Sequence, residues 1–160
     1  MPIADSVRQL LELHEKAKKG ALAPDERLVY ETRRTDFSRA MLSAQKLMLR
    51  PGETYRRALR VAHAVRLELA LTMGTAATVS LDLSAGGFAA LVPMALPIDK
   101  PIAFTMRVSL EPLEGMAHVV SSTPRQAAFI ASFAIDTMSA AHRERLEAIV
   151  FEAALARFGP

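Results

Sequence analysis

The segment IAFTMRVSL, residues 102–110, alternates large apolar residues with small or polar ones. A period of two is typical of a β-strand with one buried face and one face in water. The same alternation extends from Val61 to Leu71, and four shorter candidate strands occupy residues 77–83, 88–92, 116–121 and 127–134. Six short strands at close spacing, with no helical pattern between them, predict a small antiparallel barrel or sandwich.

Turn residues separate these strands, and a helix follows them. Glycine and proline lie in each gap, at Gly74, Gly86-Gly87, Pro97, Pro101, Gly115 and Pro124. A final helix is predicted to begin near Ser139. One of its faces would contain Leu146, Ile149, Val150, Ala153 and Phe158. This helix is long enough to cover one end of a barrel.

The chain before Pro51-Gly52 has a helical period instead. Asp5 or Ser6 can cap a first helix, which we expect to end at Gly20. Pro24 opens a second helix with acidic residues in its first turn. We therefore expect a mainly β protein with flanking helices, in which residues 1–50 form a helical hairpin and residues 51–160 form the strand-rich domain.

The second helix predicts an association between copies of the chain. Tyr30, Phe37, Met41 and Met48 follow the spacing of a coiled-coil seam, with Arg34 among them. Residues 1–50 contain little that could cover this stripe, and a soluble monomer rarely leaves such a surface in water. We expect a homodimer through the N-terminal helices, with packing onto the chain's own barrel as the alternative.

Amino-acid composition indicates the class of protein and the cellular compartment that suits it. The chain has 160 residues, of which 51% are hydrophobic and 23% charged, so it can bury a core as a folded domain. It contains no cysteine, which suits a reducing compartment. Its apolar runs are far shorter than the ~18 residues that a membrane helix needs. We expect a soluble, cytoplasmic protein without a membrane partner.

Residues for catalysis are scarce in this sequence. The four histidines are scattered and form no pair at helical ligand spacing, and no nucleophile-elbow or phosphate-loop pattern occurs. His118 is most simply interpreted as a barrel histidine with satisfied polar atoms. We therefore expect no catalytic residues, no metal site and no cofactor, and hence a protein that is not an enzyme.

Positive charge is concentrated just after the helical region. Residues 51–66 contain four arginines against the single acid Glu53, which indicates a local anion site. Three of these arginines form the pattern RRALR, residues 56–60. A second pattern, DLSAGG at residues 82–87, lies at the turn between two predicted strands. Alone, the first is equally consistent with a solvated linker, and the second with an ordinary Asp/Ser/Gly turn.

In this order, on this framework, the two patterns resemble the PilZ domain, the bacterial receptor module for cyclic di-GMP. The resemblance covers about residues 51–155 and implies a six-stranded antiparallel barrel with a C-terminal helix. One departure is that the last strand, residues 128–133, lacks the glycine that many members have there. The ligand-binding residues it implies are Arg56, Arg57, Arg60, Asp82, Ser84 and Gly87.

The chemistry of these side chains agrees with that ligand, a dianion with two guanines. Arginine can bind phosphate oxygens, and the O6 and N7 of guanine, through a planar fork. The carboxylate of Asp82 accepts from guanine N1–H and N2–H, Ser84 adds a hydroxyl, and Gly87 allows close approach or a positive φ. The nucleotide would connect the arginine segment, residues 56–60, to the turn of residues 82–87. Binding would then change the position of the helices of residues 1–50 relative to the barrel. An unidentified downstream protein would recognise this change.

Three alternatives remain open at this stage. A PilZ-like module can have lost nucleotide binding and act through protein contacts alone. A nucleic-acid-binding regulator would use the basic N-terminal region, but residues 1–50 have a surplus of only three positive charges and the chain has no tryptophan for base stacking. An enzyme is the weakest alternative, because no constellation of catalytic residues is present.

Overall fold

The computed structural model describes residues 2–47, 58–109 and 111–159. They fall into two compact units: one contains the N-terminal helices and the chain from Ala154 onward, and the other is Arg60–Ala153. In chain order the elements are α1 (Ile3–Lys18), α2 (Pro24–Leu47), β1 (Arg60–Val61), β2 (Arg66–Leu71), β3 (Gly74–Ser84), β4 (Gly87–Val92), β5 (Pro101–Arg107), β6 (Leu113–Arg125), β7 (Ala128–Met138) and α3 (Ala140–Ala156).

Strands β2 to β7 close into an antiparallel barrel. The strand order is β1-β3-β2-β5-β6-β7-β4, and a further pairing of β3 with β4 joins the two ends. Strand β3 is long enough to pair with β2 through its first half and with β4 through its second half. The prediction of a six-stranded antiparallel barrel with a C-terminal helix is thereby confirmed, and the short β1 is an addition to it.

The barrel core is apolar and centred on stacked aromatic rings. Phe88 stacks on Phe133 with ring centroids 4.8 Å apart and meets the edge of Phe104 at 5.2 Å. The inward residues of β2 and β5 are those of the predicted alternation, and all are fully buried. They are Leu67, Leu69, Ile102, Phe104 and Met106. Alternation along the strands therefore decides which face of each strand is buried, as expected for a sheet closed on itself.

The predicted strand from Val61 to Leu71 is interrupted, which corrects the sequence-based expectation. β1 ends at Val61 and β2 begins at Arg66. Across the gap, the buried hydroxyl of Ser80 accepts a hydrogen bond from the backbone N–H of Val65 at 2.8 Å and donates to the carbonyl of His63 at 2.6 Å. The side chain thus replaces ladder hydrogen bonds, so the backbone can bend here without leaving polar groups unpaired.

Helix α3 begins where the sequence indicates, but its buried face differs in part from the prediction. The Ser139 hydroxyl accepts a hydrogen bond from the backbone N–H of His142 and so caps the first turn. Leu146 and Val150 are buried as expected, together with Phe151, Ala154 and Leu155. Phe158 lies beyond the helix end and remains 49% exposed.

The helical unit contains the predicted hairpin, with two corrections. Helix α1 starts after Pro2 without a side-chain cap, so neither Asp5 nor Ser6 has the predicted capping role. The predicted stripe on α2 is partly covered within this unit, since the Tyr30 hydroxyl is 2.9 Å from His14 Nδ1 and Phe37 packs edge-on against Phe158. Met48 and the predicted boundary between residues 50 and 51 lie outside the described residues.

Among the described residues, no helix is both long enough and apolar enough to cross a membrane.

Candidate functional site

The DLSAGG segment forms the end of β3, a two-residue turn and the first residue of β4. Ser84 pairs with Gly87 across the hairpin, leaving Ala85 and Gly86 as the turn. The hydroxyl of Ser84 accepts from the backbone N–H of Gly86 at 3.2 Å and donates to the carbonyl of Gly87 at 3.3 Å. Ser84 is 6% exposed, so its hydroxyl holds the turn in place, a role that the sequence analysis did not assign to it.

Residues from the two sequence patterns meet beside this turn. β1 pairs with the end of β3 so that Arg60 lies opposite Ser84. Asp82 is two residues before Ser84 on β3, and its Oδ1 atom lies 3.5 Å from Nη1 of Arg60. The two side chains are 28% and 27% exposed, but Oδ1 of Asp82 and Nε of Arg60 are buried, so the contact is partly shielded from water. A guanidinium and a carboxylate, 22 residues apart in sequence, therefore share one partly shielded site.

Gly87 is required because of a close approach between strands. It pairs with Ala134 of β7, and a Cβ added at Gly87 would lie 2.2 Å from the carbonyl oxygen of Phe133. Its φ is outside the left-handed region, so of the two reasons considered from sequence only close approach applies. Gly86, by contrast, has open space where a Cβ would be.

Arg56 and Arg57 lie outside the described residues. Of the predicted ligand-binding residues, the structure brings together Arg60, Asp82, Ser84 and Gly87.

Two contacts to this turn come from distant parts of the chain. The backbone N–H of Ile135 donates to the carbonyl of Gly86 at 2.9 Å, and Nη1 of Arg143 donates to the carbonyl of Ala85 at 3.2 Å. Arg143 lies in the first turns of α3, 58 residues from its acceptor. No local sequence signal distinguishes it from the chain's other arginines, so sequence analysis could not identify this contact.

A histidine–carboxylate pair also lies on the barrel, on β6 and β7. Nδ1 of His118 lies 2.7 Å from Oδ1 of Asp136, which gives the histidine the polar partner expected from sequence. In the described part of the chain, no group of three or more histidine or acidic side chains is placed to hold a metal ion.

Comparisons with known proteins agree with this fold. The model of the PilZ domain matches residues 54–152, which is more than half of the chain. The comparison with curated proteins finds no significant sequence match.

Three solved structures share the architecture at low sequence identity. The PilZ domain of YcgR from Escherichia coli, solved with c-di-GMP, superposes with a TM-score of 0.54 at 19% identity, covering 65% of this chain and 95% of that one. The inhibitor of motility MotI/DgrA of Bacillus subtilis gives 0.58 at 15% identity, covering 66% of this chain. The MrkH–c-di-GMP complex of K. pneumonia gives 0.57 at 14% identity, covering 66% of this chain.

The matched region spans only 54% of MotI/DgrA and 55% of MrkH, so the likeness concerns about half of each protein. At such identities the superpositions establish the shared fold. Together with the sequence match over residues 54–152, they lead to one conclusion: this chain belongs to the PilZ domain family.

Proposed function

We propose that this chain is a non-enzymatic receptor for cyclic di-GMP, which it binds through Arg60 and Asp82 together with Arg56, Arg57, Ser84 and Gly87. The observation that carries the proposal is the meeting of Arg60 with Asp82 beside the β3–β4 turn, at 3.5 Å. Membership of the PilZ family and the c-di-GMP complexes of YcgR and MrkH support the choice of ligand.

The geometry of Arg60 suits a ligand that is planar, anionic or both. Its contact with Asp82 is longer than an ordinary hydrogen bond, so the pair can separate at small cost when better partners arrive. A guanidinium binds phosphate oxygens, or guanine O6 and N7, through two parallel N–H groups. Arg56 and Arg57 precede it in sequence and would add positive charge toward the phosphates.

Asp82 supplies hydrogen-bond acceptors, which complement the donors of Arg60. A carboxylate only accepts hydrogen bonds, and guanine presents N1–H and N2–H donors on the edge away from O6 and N7. Ser84 and Gly87 act on the same turn, Ser84 by closing it and Gly87 by allowing β4 to approach β7. We propose that guanine replaces the Arg60–Asp82 contact with one contact to each side chain.

Calorimetric titration of the 160-residue chain with cyclic di-GMP tests the function directly. Parallel titrations with GTP and with duplex DNA separate the competing proposals. Saturable binding of cyclic di-GMP, unaffected by excess GTP or DNA, is the expected outcome. Binding of DNA alone would favour a nucleic-acid regulator, and no binding of any of the three would favour a PilZ-like module that acts through protein contacts.

The association of two copies through the N-terminal helices, and the relay to a downstream protein, are part of the same proposal. Ile3, Leu28 and Leu47 are 84%, 68% and 87% exposed on the two helices, so apolar surface remains there even though Tyr30 and Phe37 have partners. Light scattering of the 160-residue chain should give twice its mass of 17.4 kDa. Leu28→Glu should lower that mass, whereas Met73→Glu, at an exposed barrel residue, should not.

A further inference from the structure

The turn that joins β3 to β4 has a backbone conformation that is unusual for so short a connection. Two-residue hairpin loops favour type I′ or II′ turns, which need a positive φ at one or both residues because only these match the twist of the strands. Neither Ala85 nor Gly86 has a φ in the left-handed region. The Ser84 hydroxyl holds this conformation from within the hairpin, and contacts from other elements add to it.

Those contacts converge on the two carbonyls at the apex. The Gly86 carbonyl accepts from the backbone N–H of Ile135 on β7, a contact that any residue other than proline at position 135 would make. The Ala85 carbonyl accepts from the side chain of Arg143. Of the two apex contacts, only the one from Arg143 depends on the identity of a side chain.

We propose that Arg143 is a positioning residue for the nucleotide site, an inference that rests on the proposed function. By holding the Ala85 carbonyl, it fixes the turn that ends β3, and so it fixes the position of Asp82 for the ligand. Arg143 acts through the turn and not on the nucleotide itself.

The contact of Arg143 differs chemically from that proposed for Arg60. A single nitrogen, Nη1, reaches a single carbonyl at 3.2 Å, so any cation of similar length can replace it. Lysine has one charged donor group on a flexible stem and meets that requirement. Arg60, in contrast, is proposed to use the planar fork, which lysine cannot reproduce. Replacement by lysine should therefore preserve the function of residue 143 and not that of residue 60.

The test uses Arg143→Ala and Arg143→Lys variants of the 160-residue chain with two measurements. The first is the affinity for cyclic di-GMP, expected to fall about three- to tenfold in Arg143→Ala and to return toward the original value in Arg143→Lys. The second is amide hydrogen exchange at Gly86 without ligand, expected to become about tenfold faster in Arg143→Ala only. The Gly86 amide reports the turn because it donates to Ser84 Oγ.

Arg145→Ala is the matched control. Arg145 lies on the same helix, and its Nη2 donates to the carbonyl of Glu111, in a different loop, at 2.8 Å. Its removal costs α3 a comparable contact without touching the β3–β4 turn. Affinity and Gly86 exchange should therefore both remain at their original values in Arg145→Ala.

Each contrary result has a distinct meaning. Unchanged exchange at Gly86 in Arg143→Ala overturns the proposal, as does an equal effect of Arg145→Ala. If lysine restores slow exchange but not affinity, Arg143 contacts the nucleotide directly and the positioning role is wrong. If the unmodified protein does not bind cyclic di-GMP, the proposed function fails, and the exchange measurement still decides whether Arg143 holds the turn.

Discussion

Two arginine–carboxylate pairs on described strands of the barrel differ in the geometry of their contact. Arg107 on β5 donates from Nε and Nη2 to both carboxylate oxygens of Glu68 on β2, each at 3.2 Å. Between Arg60 and Asp82 the contact runs from Nη1 to one oxygen at 3.5 Å. The Arg107–Glu68 side chains are also more exposed, at 52% and 38%, against 28% and 27% for the other pair.

The surroundings of the two pairs differ as well. Glu68 and Arg107 lie on neighbouring strands of a regular ladder, which places them without help from other elements. Arg60 and Asp82 lie on a two-residue strand and beside a turn held by α3 and β7. The first pair makes two parallel hydrogen bonds between regular strands, whereas the second makes a longer contact beside a turn that distant elements hold. Contact geometry and tertiary surroundings, more than the presence of opposite charges, therefore distinguish the two pairs.

The largest expected effect is on stability, and it comes from adding a Cβ at Gly87, where β4 approaches β7 beside the Arg60–Asp82 pair. Gly87→Ala should destabilise the protein by about 2–3 kcal/mol, since the new Cβ would meet a backbone oxygen that cannot move aside easily. Gly86→Ala, where the space is open, should change stability by no more than about 0.5 kcal/mol. Urea denaturation measures both. Equal stability of the two variants would show that the approach of β4 to β7 does not require glycine.

The next largest effect is on the affinity for cyclic di-GMP, and it distinguishes Arg60 from Arg107. Arg60→Ala should weaken cyclic di-GMP binding by about 1–3 kcal/mol, the range for a bidentate guanine contact, and Arg60→Lys should recover little of it. Arg107→Ala is the matched control, because it removes an arginine from the other pair on the same barrel, and it should leave affinity unchanged. Calorimetric titration gives these values. Tight binding by Arg60→Ala would eliminate the proposed role of Arg60.

Substitutions of the two carboxylates, Asp82 and Glu68, are expected to have smaller effects on cyclic di-GMP binding. Asp82→Ala should weaken binding and Asp82→Asn should weaken it less, since an amide oxygen still accepts one hydrogen bond. Because the side chain is partly exposed, stability should stay within about 1 kcal/mol of the original. Glu68→Ala should leave binding unaltered. If Asp82→Ala unfolds the protein instead, the DLSAGG segment is principally a structural turn.

The smallest effect concerns a third pair, in the helical unit. Nζ of Lys16 donates to Oε2 of Glu26, which lowers the pKa of Glu26 below its usual 4.5, and the backbone N–H of Ala23 adds to this. A lowered carboxyl pKa stabilises the folded state above the usual value, and the stabilisation is lost as pH falls through the lowered value.

Replacing Glu26 by glutamine tests this dependence. Glu26→Gln should be slightly less stable than the original protein at neutral pH, and the difference should shrink as the pH falls below 4.5. Urea midpoints measured across this range report the difference. A gap that widens on acidification would contradict the assigned direction of the pKa shift.

The sequence by itself indicated a small antiparallel barrel or sandwich, a closing helix and the residues of both motifs, and the resemblance to the PilZ domain favoured the barrel. Alternation at Ile102, Phe104 and Met106 is a local property of the chain, and burial of one strand face follows directly from it. The RxxxR and DxSxxG patterns are likewise local, so a resemblance could be drawn without coordinates. The helical hairpin followed from its apolar period and its Gly20 and Pro24 signals in the same way.

Only the tertiary structure decided how those motifs meet and what holds them. The break after Val61 depends on the Ser80 hydroxyl, the need for glycine at position 87 depends on the carbonyl of Phe133, and the turn depends on Arg143. Each of these partners lies between 15 and 58 residues away or on another strand, where chain periodicity contains no information about it. Periodicity selects the buried face of a strand, but contacts between distant segments arise only when the sheet closes and the helix packs.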